Sequence, residues 1–225
     1  MQIMIFDDKT DRRALLGGLA ALATGAPALA QSRRKTPPPP RRRTVALLGD
    51  SITSGYGLPA AVALPTRLQE EIARLGSTAQ GRPLGVSGDT TALGLARLNL
   101  LSNAEADLWV VALGGNDLLQ GLDPTITRAN LEAIVAHLRV RREPVLLAGI
   151  KPPPFLGRAY ATAFYSAFTE TARSNRLPFY PDLLAGVMGV RRLNQGDGIH
   201  PNADGVQVIA KRLAPEIVKA LGFVR

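Results

Sequence analysis

The sequence predicts an α/β protein, a three-layer α/β/α sandwich in which helices cover both faces of a mainly parallel sheet. Short apolar segments that halt at glycine and polar residues alternate with longer segments whose leucines and isoleucines recur at helical spacing. The 225 residues are 46% hydrophobic and 20% charged, which suits one globular domain with a full-sized core and a tail. In such a sheet, ligands bind beyond the carboxyl ends of the strands.

Four segments have the character of buried parallel strands, because they are apolar throughout and too short for helices. They are residues 45–48, 108–113 and 145–150, and a shorter segment around residues 178–180. The first stops at Gly49-Asp50-Ser51, and the second stops at Gly114-Gly115-Asn116-Asp117. Since the carboxyl ends of parallel strands lie at one edge of the sheet, we expect the residues that follow both strands to face one cleft.

Helical patterns follow these strands. The first helix shares one apolar face, formed by Leu64, Leu68, Ile72 and Leu75. A second leucine-rich helix follows Thr91, and Asp123-Pro124 opens a long third helix, since proline is favoured in the first turn. Two further helices are predicted near residues 158–174 and from residue 203 to about residue 221.

Residues 1–30 resemble a bacterial export signal of the twin-arginine kind. Arg12-Arg13 precede a mildly apolar segment, and Ala28-Leu29-Ala30 supplies the small residues that a signal peptidase needs. The apolar segment is too short to span a bilayer, which takes roughly 20 residues. We therefore expect cleavage before Gln31 and a protein that is periplasmic or secreted.

Residues 31–43 form a predicted linker to the domain at residues 44–225. Four consecutive prolines lie between two basic clusters, a composition typical of an extended, solvated spacer. Of the formal net charge of +9, six positive charges lie in the linker and only +3 remains for the domain. We therefore expect no nucleic-acid partner, and at most loose contact of the linker with an anionic envelope surface. The absence of cysteine excludes disulfides, thiolate metal sites and a cysteine nucleophile.

Ser51 is the candidate nucleophile. A serine hydroxyl needs a base that takes its proton, and the base works best when a carboxylate orients it. Of the two histidines, His137 falls within the long predicted helix, whereas His200 lies in a polar turn three residues after Asp197. We therefore expect one nitrogen of His200 to contact Asp197 and the other to face Ser51.

Acyl transfer also needs hydrogen-bond donors aimed at the oxyanion. The backbone N–H groups of Ser51 and Gly88 and the side-chain amide of Asn116 are the candidates. On the residues alone, two alternatives stay open: a non-catalytic binding domain and a hydrolytic metal site. The ligands of such a metal would be Asp50, Asp89, Asp117, Asp197 and His200.

These residues resemble, in chain order, the sequence blocks of the SGNH hydrolases, also called the GDSL esterase/lipase family. The matching blocks are Gly49-Asp50-Ser51, Gly88, Gly115-Asn116-Asp117 and Asp197-x-x-His200, and residues 87–98 are similar to the branch of acyl-CoA thioesterase I, lysophospholipase and arylesterase. The resemblance implies Ser51 as nucleophile, His200 as base and then acid, and Asp197 as orienting carboxylate, with no metal or other cofactor. It also implies a flavodoxin-like fold with a five-stranded sheet.

The activity that the resemblance implies is hydrolysis of small carboxylic esters or thioesters, through an acyl-serine intermediate, by a monomer. A carbohydrate O-deacetylase is the alternative within the family. Leu64-Pro65 stands where this branch has an aromatic residue before the proline, and residues 151–156 are unusually rich in proline, so the preferred acyl length stays open. The expected substrate contacts are Asp50, Leu64, Gly115, Pro153 and Ile199.

Overall fold

The computed structural model describes residues 42–101 and 105–223. The predicted export signal and most of the predicted linker lie outside the described residues. Five parallel strands form one sheet in the order β2-β1-β3-β4-β5. They are β1 (Thr44–Gly49), β2 (Gln80–Gly85), β3 (Leu108–Ala112), β4 (Val145–Ala148) and β5 (Phe179–Tyr180). This is the strand order of flavodoxin-like sheets, in which ligands bind where the order reverses, between β1 and β3.

Helices make the outer two layers, so the predicted fold class is confirmed. One face of the sheet carries α2 (Leu64–Arg74) and α7 (Ala203–Phe223). The other face carries α3 (Thr91–Leu98), α5 (Pro124–Val140) and α6 (Arg158–Ser174). Two short helices, α1 (Ser51–Ser54) and α4 (Gly115–Leu119), begin at the carboxyl edge of the sheet. Within residues 42–101 and 105–223, no helix is both long enough and apolar enough to cross a membrane.

Side chains of the central strands alternate between the two faces. In β1, Val45 and Leu47 pack on the side of α2 and α7, whereas Ala46 and Leu48 pack on the side of α3, α5 and α6. All four are essentially inaccessible to solvent. Because both faces are buried, the alternation leaves no polar positions, and these strands therefore form continuous apolar segments in the sequence.

The apolar pattern does not predict β2. Its sequence, Gln-Gly-Arg-Pro-Leu-Gly, contains few apolar side chains, and it lies at the edge of the sheet with all six residues exposed or half-buried. An edge strand pairs on one side only, so it tolerates Pro83, which lacks the N–H that a second neighbour would need. The other predicted strands and helices are confirmed, with ends that differ by one or two residues.

Candidate active site

Ser51 begins α1, and only Asp50 separates it from the end of β1 at Gly49. The turn is tight, since a Cβ at Gly49 would lie 2.5 Å from the Thr53 hydroxyl and 2.7 Å from the carbonyl oxygen of Ala112. Asp50 caps the new helix, because its Oδ1 accepts a hydrogen bond from the N–H of Ile52 at 3.0 Å. The hydroxyl of Ser51 is thereby held at the carboxyl edge of the sheet, half-buried.

The three side chains of the predicted triad form one continuous chain of hydrogen bonds. Ser51 Oγ lies 3.0 Å from His200 Nε2, although the two residues are 149 positions apart in the sequence. His200 Nδ1 lies 2.6 Å from Asp197 Oδ2. In this arrangement the imidazole can take the serine proton at one nitrogen while the carboxylate binds the N–H at the other.

A short turn, closed by a β-bridge, places His200 just before α7. The backbone N–H of Gln195 donates to the carbonyl oxygen of His200 at 2.7 Å. Asp197 Oδ1 accepts from the N–H groups of Ile199 and His200, at 2.9 and 3.0 Å. The hydrogen bond from the His200 ring, together with these two N–H groups, lowers the pKa of Asp197 from 3.8 to about 2. The carboxylate therefore stays ionised across the range in which histidine titrates.

Two further residues support His200, and the residue pattern does not predict either of them. The ring of Tyr56 lies against the imidazole, with 4.6 Å between ring centroids. Gln195 Nε2 donates to the carbonyl oxygens of Tyr56 and Pro201, at 2.9 and 3.0 Å. Gln195 thus connects the segment after α1 to the histidine turn. No sequence signal marks such a pair, because the contact joins residues 139 positions apart.

The three candidate oxyanion donors lie in segments that follow β1, β2 and β3. Gly88 has a φ of 89°, a conformation that favours glycine. The side-chain amide of Asn116 donates one hydrogen bond to the carbonyl oxygen of Asp89 at 2.8 Å, and the amide carries a second N–H. Arg97 joins these segments, since it donates to Asp89 Oδ2 at 2.5 Å and to the carbonyl oxygen of Gly49 at 3.1 Å.

The five expected substrate contacts are not equally accessible. Asp50 and Leu64 are only 2% and 1% exposed, so neither side chain reaches the surface of the cleft. Gly115 and Pro153 are half-buried, and Ile199 is exposed beside His200. A Cβ at Gly115 would lie 2.9 Å from Asp50 Oδ2, so glycine at this position leaves room for the buried carboxylate. Burial raises the pKa of Asp50 from 3.8 to about 6.

The acidic residues of the metal alternative are held by different partners. The Asp89 carboxylate binds Arg97, and Asp197 binds His200. The buried Asp117 accepts hydrogen bonds from the N–H and hydroxyl of Thr91 and from the hydroxyl of Thr127. In the part of the chain that the structure describes, no three acidic or histidine side chains converge on a point that could hold a metal ion.

Serine hydrolases are the class of protein that this site defines. Its serine is hydrogen-bonded to a histidine, and that histidine is hydrogen-bonded to a carboxylate, at the carboxyl edge of a parallel sheet. Within that class, the chain belongs to the GDSL-like lipase/acylhydrolase family, whose model matches residues 47–208. That match spans the whole hydrogen-bonded chain from Ser51 to His200. The protein is accordingly a hydrolase of carboxylic esters or thioesters, as the sequence predicts.

Proteins similar to this chain are named as esterases and thioesterases. An arylesterase of Vibrio mimicus is 32% identical over 176 residues, which are 78% of this chain and 88% of the relative. The thioesterase 1/protease 1/lysophospholipase L1 of Escherichia coli K12 is 34% identical over 175 residues, 77% of this chain and 83% of the relative. Among solved structures, the psychrotrophic esterase EstA of Pseudoalteromonas sp., inhibited by monoethylphosphonate, is 28% identical with a TM-score of 0.75, covering 80% of this chain and 99% of EstA.

Proposed function

We propose that Ser51 attacks the carbonyl carbon of a small ester or thioester and forms an acyl-serine intermediate. His200 takes the proton of Ser51 and delivers it to the departing alcohol or thiol, and it then activates the water that releases the acid. Asp197 orients the imidazole and stabilises its cationic form. The observation that carries this proposal is the unbroken hydrogen-bonded chain of 3.0 and 2.6 Å from Ser51 through His200 to Asp197.

The oxyanion of the tetrahedral intermediate is proposed to bind the N–H groups of Ser51 and Gly88 and the side-chain amide of Asn116. The hydrogen bond from Asn116 to Asp89 supports this role, because it holds the amide beside the segment that begins with Gly88. Donors that are already oriented need no reorganisation when the negative charge develops, and each is typically worth about 100- to 1000-fold in kcat.

The acyl group is proposed to lie along the segments that follow α4 and β4. Leu119 ends α4 and is exposed, and Phe155 and Leu156 are exposed in a short 3-10 helix just after Pro153. Ile199 adds an exposed apolar side chain beside His200. These side chains favour an acyl chain over a sugar, and they therefore favour esterase or thioesterase activity over carbohydrate O-deacetylation.

We further propose that residues 1–30 direct export, that residues 31–43 form a spacer, and that the hydrolase acts as a monomer in the periplasm or outside the cell. The arginine pair and the small residues at positions 28–30 support this proposal. Replacing Arg12-Arg13 by two lysines should leave the precursor inside the cell, as seen by fractionation. Unchanged export would contradict the twin-arginine route.

The catalytic proposal is tested by hydrolysis of p-nitrophenyl esters from acetyl to palmitoyl, with and without chelator. Ser51→Ala should lose several orders of magnitude in kcat, whereas Ser54→Ala, one helical turn away, should retain most of the activity. A phosphonate that labels the wild type should not label Ser51→Ala. Activity that survives in Ser51→Ala, or that chelator abolishes, would contradict the proposed nucleophile.

A further inference from the structure

Exposed arginines are concentrated at the end of the domain that lies opposite the active site. In a parallel sheet covered by helices, the starts of the strands and the carboxyl ends of the helices share one end of the molecule. Six exposed arginines occur there, either just before β1 or at the carboxyl ends of α5 and α6. This basic end consists of Arg42, Arg43, Arg139, Arg142, Arg173 and Arg176.

Arg142 and Arg176 are available for an external ligand. Within residues 42–101 and 105–223, neither guanidinium forms a hydrogen bond or an ion pair with another side chain or with the backbone. Both residues follow the end of a helix with positive φ values, 58° and 50°, at a position where glycine is usual. Two separate helices thus place an unpaired arginine at a position that disfavours any side chain.

These arginines line an open groove of about 460 Å³, to which Arg139 also contributes. Leu108, Leu177 and Pro178 are among its apolar lining residues. The end of the domain also exposes large apolar side chains, since Val140 at the end of α5 is 86% exposed and Leu100 after α3 is 85% exposed. Arg141 donates to the carbonyl oxygen of Leu101, which places Leu100 close to the end of α5.

The basic linker joins the domain at this same end. Arg43 hydrogen-bonds the carbonyl oxygen of Leu221, and the neighbouring Ala220 lines the groove. Arg42 and Arg43, the last two residues of the linker, therefore lie at the same end of the domain as the arginines of the groove. Acidic side chains at this end include Glu105, Asp107 and Glu143. Asp107 accepts from the N–H of Thr44, and Glu143, which also lines the groove, is buried against Arg141.

The active-site edge carries exposed charges of both signs in similar numbers. Its carboxylates lie where the strands end, in the turn before α7 and in the first turn of α7. They are Asp50, which is buried, and Asp123, Asp182, Asp197 and Asp204. Positive charges at this edge include Lys151, Arg158 and the adjacent pair Arg191-Arg192. An anionic surface would therefore attract the basic end more strongly than the active-site edge.

We propose that the basic end docks on an anionic phospholipid surface and leaves the active-site edge facing the water. Arginine guanidinium groups bind lipid phosphates in a bidentate manner, and exposed aliphatic side chains such as Val140 and Leu100 enter the interfacial region. Docking in this orientation holds the enzyme at the membrane while its cleft receives esters from solution. Contact with the envelope thus involves the folded domain as well as the linker.

The test is co-sedimentation of the full chain with vesicles of phosphatidylcholine alone and of phosphatidylcholine with phosphatidylglycerol. The double variant Arg142→Gln/Arg176→Gln keeps a Cβ at both positions, so the backbone strain is unchanged. A matched control, Arg191→Gln/Arg192→Gln, removes the same charge from the active-site edge. The wild type should bind the anionic vesicles only, and salt should weaken this binding. The first double variant should lose about 25-fold in partition coefficient, and the control should lose little.

The signal and linker are common to all three proteins, so their binding cancels in the comparison. Bound wild-type enzyme should also keep its turnover of a soluble p-nitrophenyl ester, because the cleft faces the water. Equal binding by the two double variants would overturn the proposed docking face, as would equal binding to neutral vesicles. A larger loss in the Arg191→Gln/Arg192→Gln control, or turnover that stops on binding, would show that the active-site edge faces the membrane instead.

Discussion

Replacing Asp50 by asparagine should make the folded protein more stable at neutral pH. The carboxyl group is only 2% exposed, and burial raises its pKa from 3.8 to about 6. Two hydrogen bonds from backbone N–H groups, one of them from Ile52, oppose the effect of burial only in part. Asparagine keeps an oxygen that can accept the Ile52 N–H and removes the buried charge, while its volume is nearly the same.

The size of the effect follows from the difference between the folded and unfolded pKa values. The pKa of Asp50 rises from 3.8 to about 6 on folding. At about 1.4 kcal/mol for each pH unit, this rise corresponds to about 3 kcal/mol of lost stability when Asp50 is ionised in both states. Between pH 3.8 and about pH 6 the folded protein binds more protons than the unfolded chain, so its stability falls as the pH rises. The full cost is present above about pH 6 and absent below 3.8.

Urea unfolding of wild type and Asp50→Asn, followed across this pH range, measures the difference directly. The free energy of unfolding of Asp50→Asn should exceed that of the wild type by up to about 3 kcal/mol near pH 8 and should converge with it near pH 4. Asp123→Asn is the matched control, because Asp123 caps α5 in the same way but is exposed. There the hydrogen bond from the Thr125 N–H lowers the pKa of the carboxyl group, so the control should be destabilised above the unfolded pKa.

A gain in Asp50→Asn that persists at low pH would refute this reasoning, because the gain would then come from packing rather than from the charge. The absence of a gain near neutral pH would refute it as well.

The stabilised Asp50→Asn variant should nevertheless be a poorer enzyme. The Asp50 carboxylate and the His200 imidazolium attract each other electrostatically. Asp50→Asn removes this carboxylate charge, so the imidazolium that forms during catalysis is less stabilised. Stability and activity should therefore change in opposite directions, a common result at active sites.

Three further substitutions test other parts of the site. Asp197→Asn should lower kcat by about 10,000-fold, as loss of the orienting carboxylate does in other serine triads, and steady-state kinetics would show whether KM stays nearly constant. Gln195→Met removes the donor to the carbonyl oxygens of Tyr56 and Pro201, and kcat/KM should fall about tenfold with a small loss of stability; unchanged kinetics would show that Gln195 does not position His200. Gly114→Ala should lower the free energy of unfolding by at least about 2 kcal/mol, because the new Cβ would lie 2.7 Å from Phe168 Cζ and because a φ of 115° disfavours any side chain. Gly222→Ala is the control: its Cβ would meet nothing within 4 Å, so the free energy of unfolding should hardly change.

The central strands are predictable from the sequence because burial on both faces makes them apolar throughout. The same logic fails for β2, whose edge position imposes no such requirement on its side chains. What specifies β2 is pairing with β1, from Thr44 with Gln80 to Gly49 with Gly85, and that register is a property of the assembled sheet. An edge strand of this kind is visible from a family resemblance or from a structure, but not from hydrophobic periodicity.

Some residues of the candidate site are predictable from the sequence, and others are not. Asp197 and His200 are recognisable together because three residues of one turn suffice to bring carboxylate and imidazole into contact. Gln195 belongs to the same turn, yet its partner Tyr56 lies at the other end of the chain, and its side chain acts through backbone carbonyls that every residue possesses. Asp50 presents the converse case, since its position beside Ser51 is obvious but its burial is not. A sequence specifies which groups can react, whereas the packing around them decides how firmly each is held and what its charge costs.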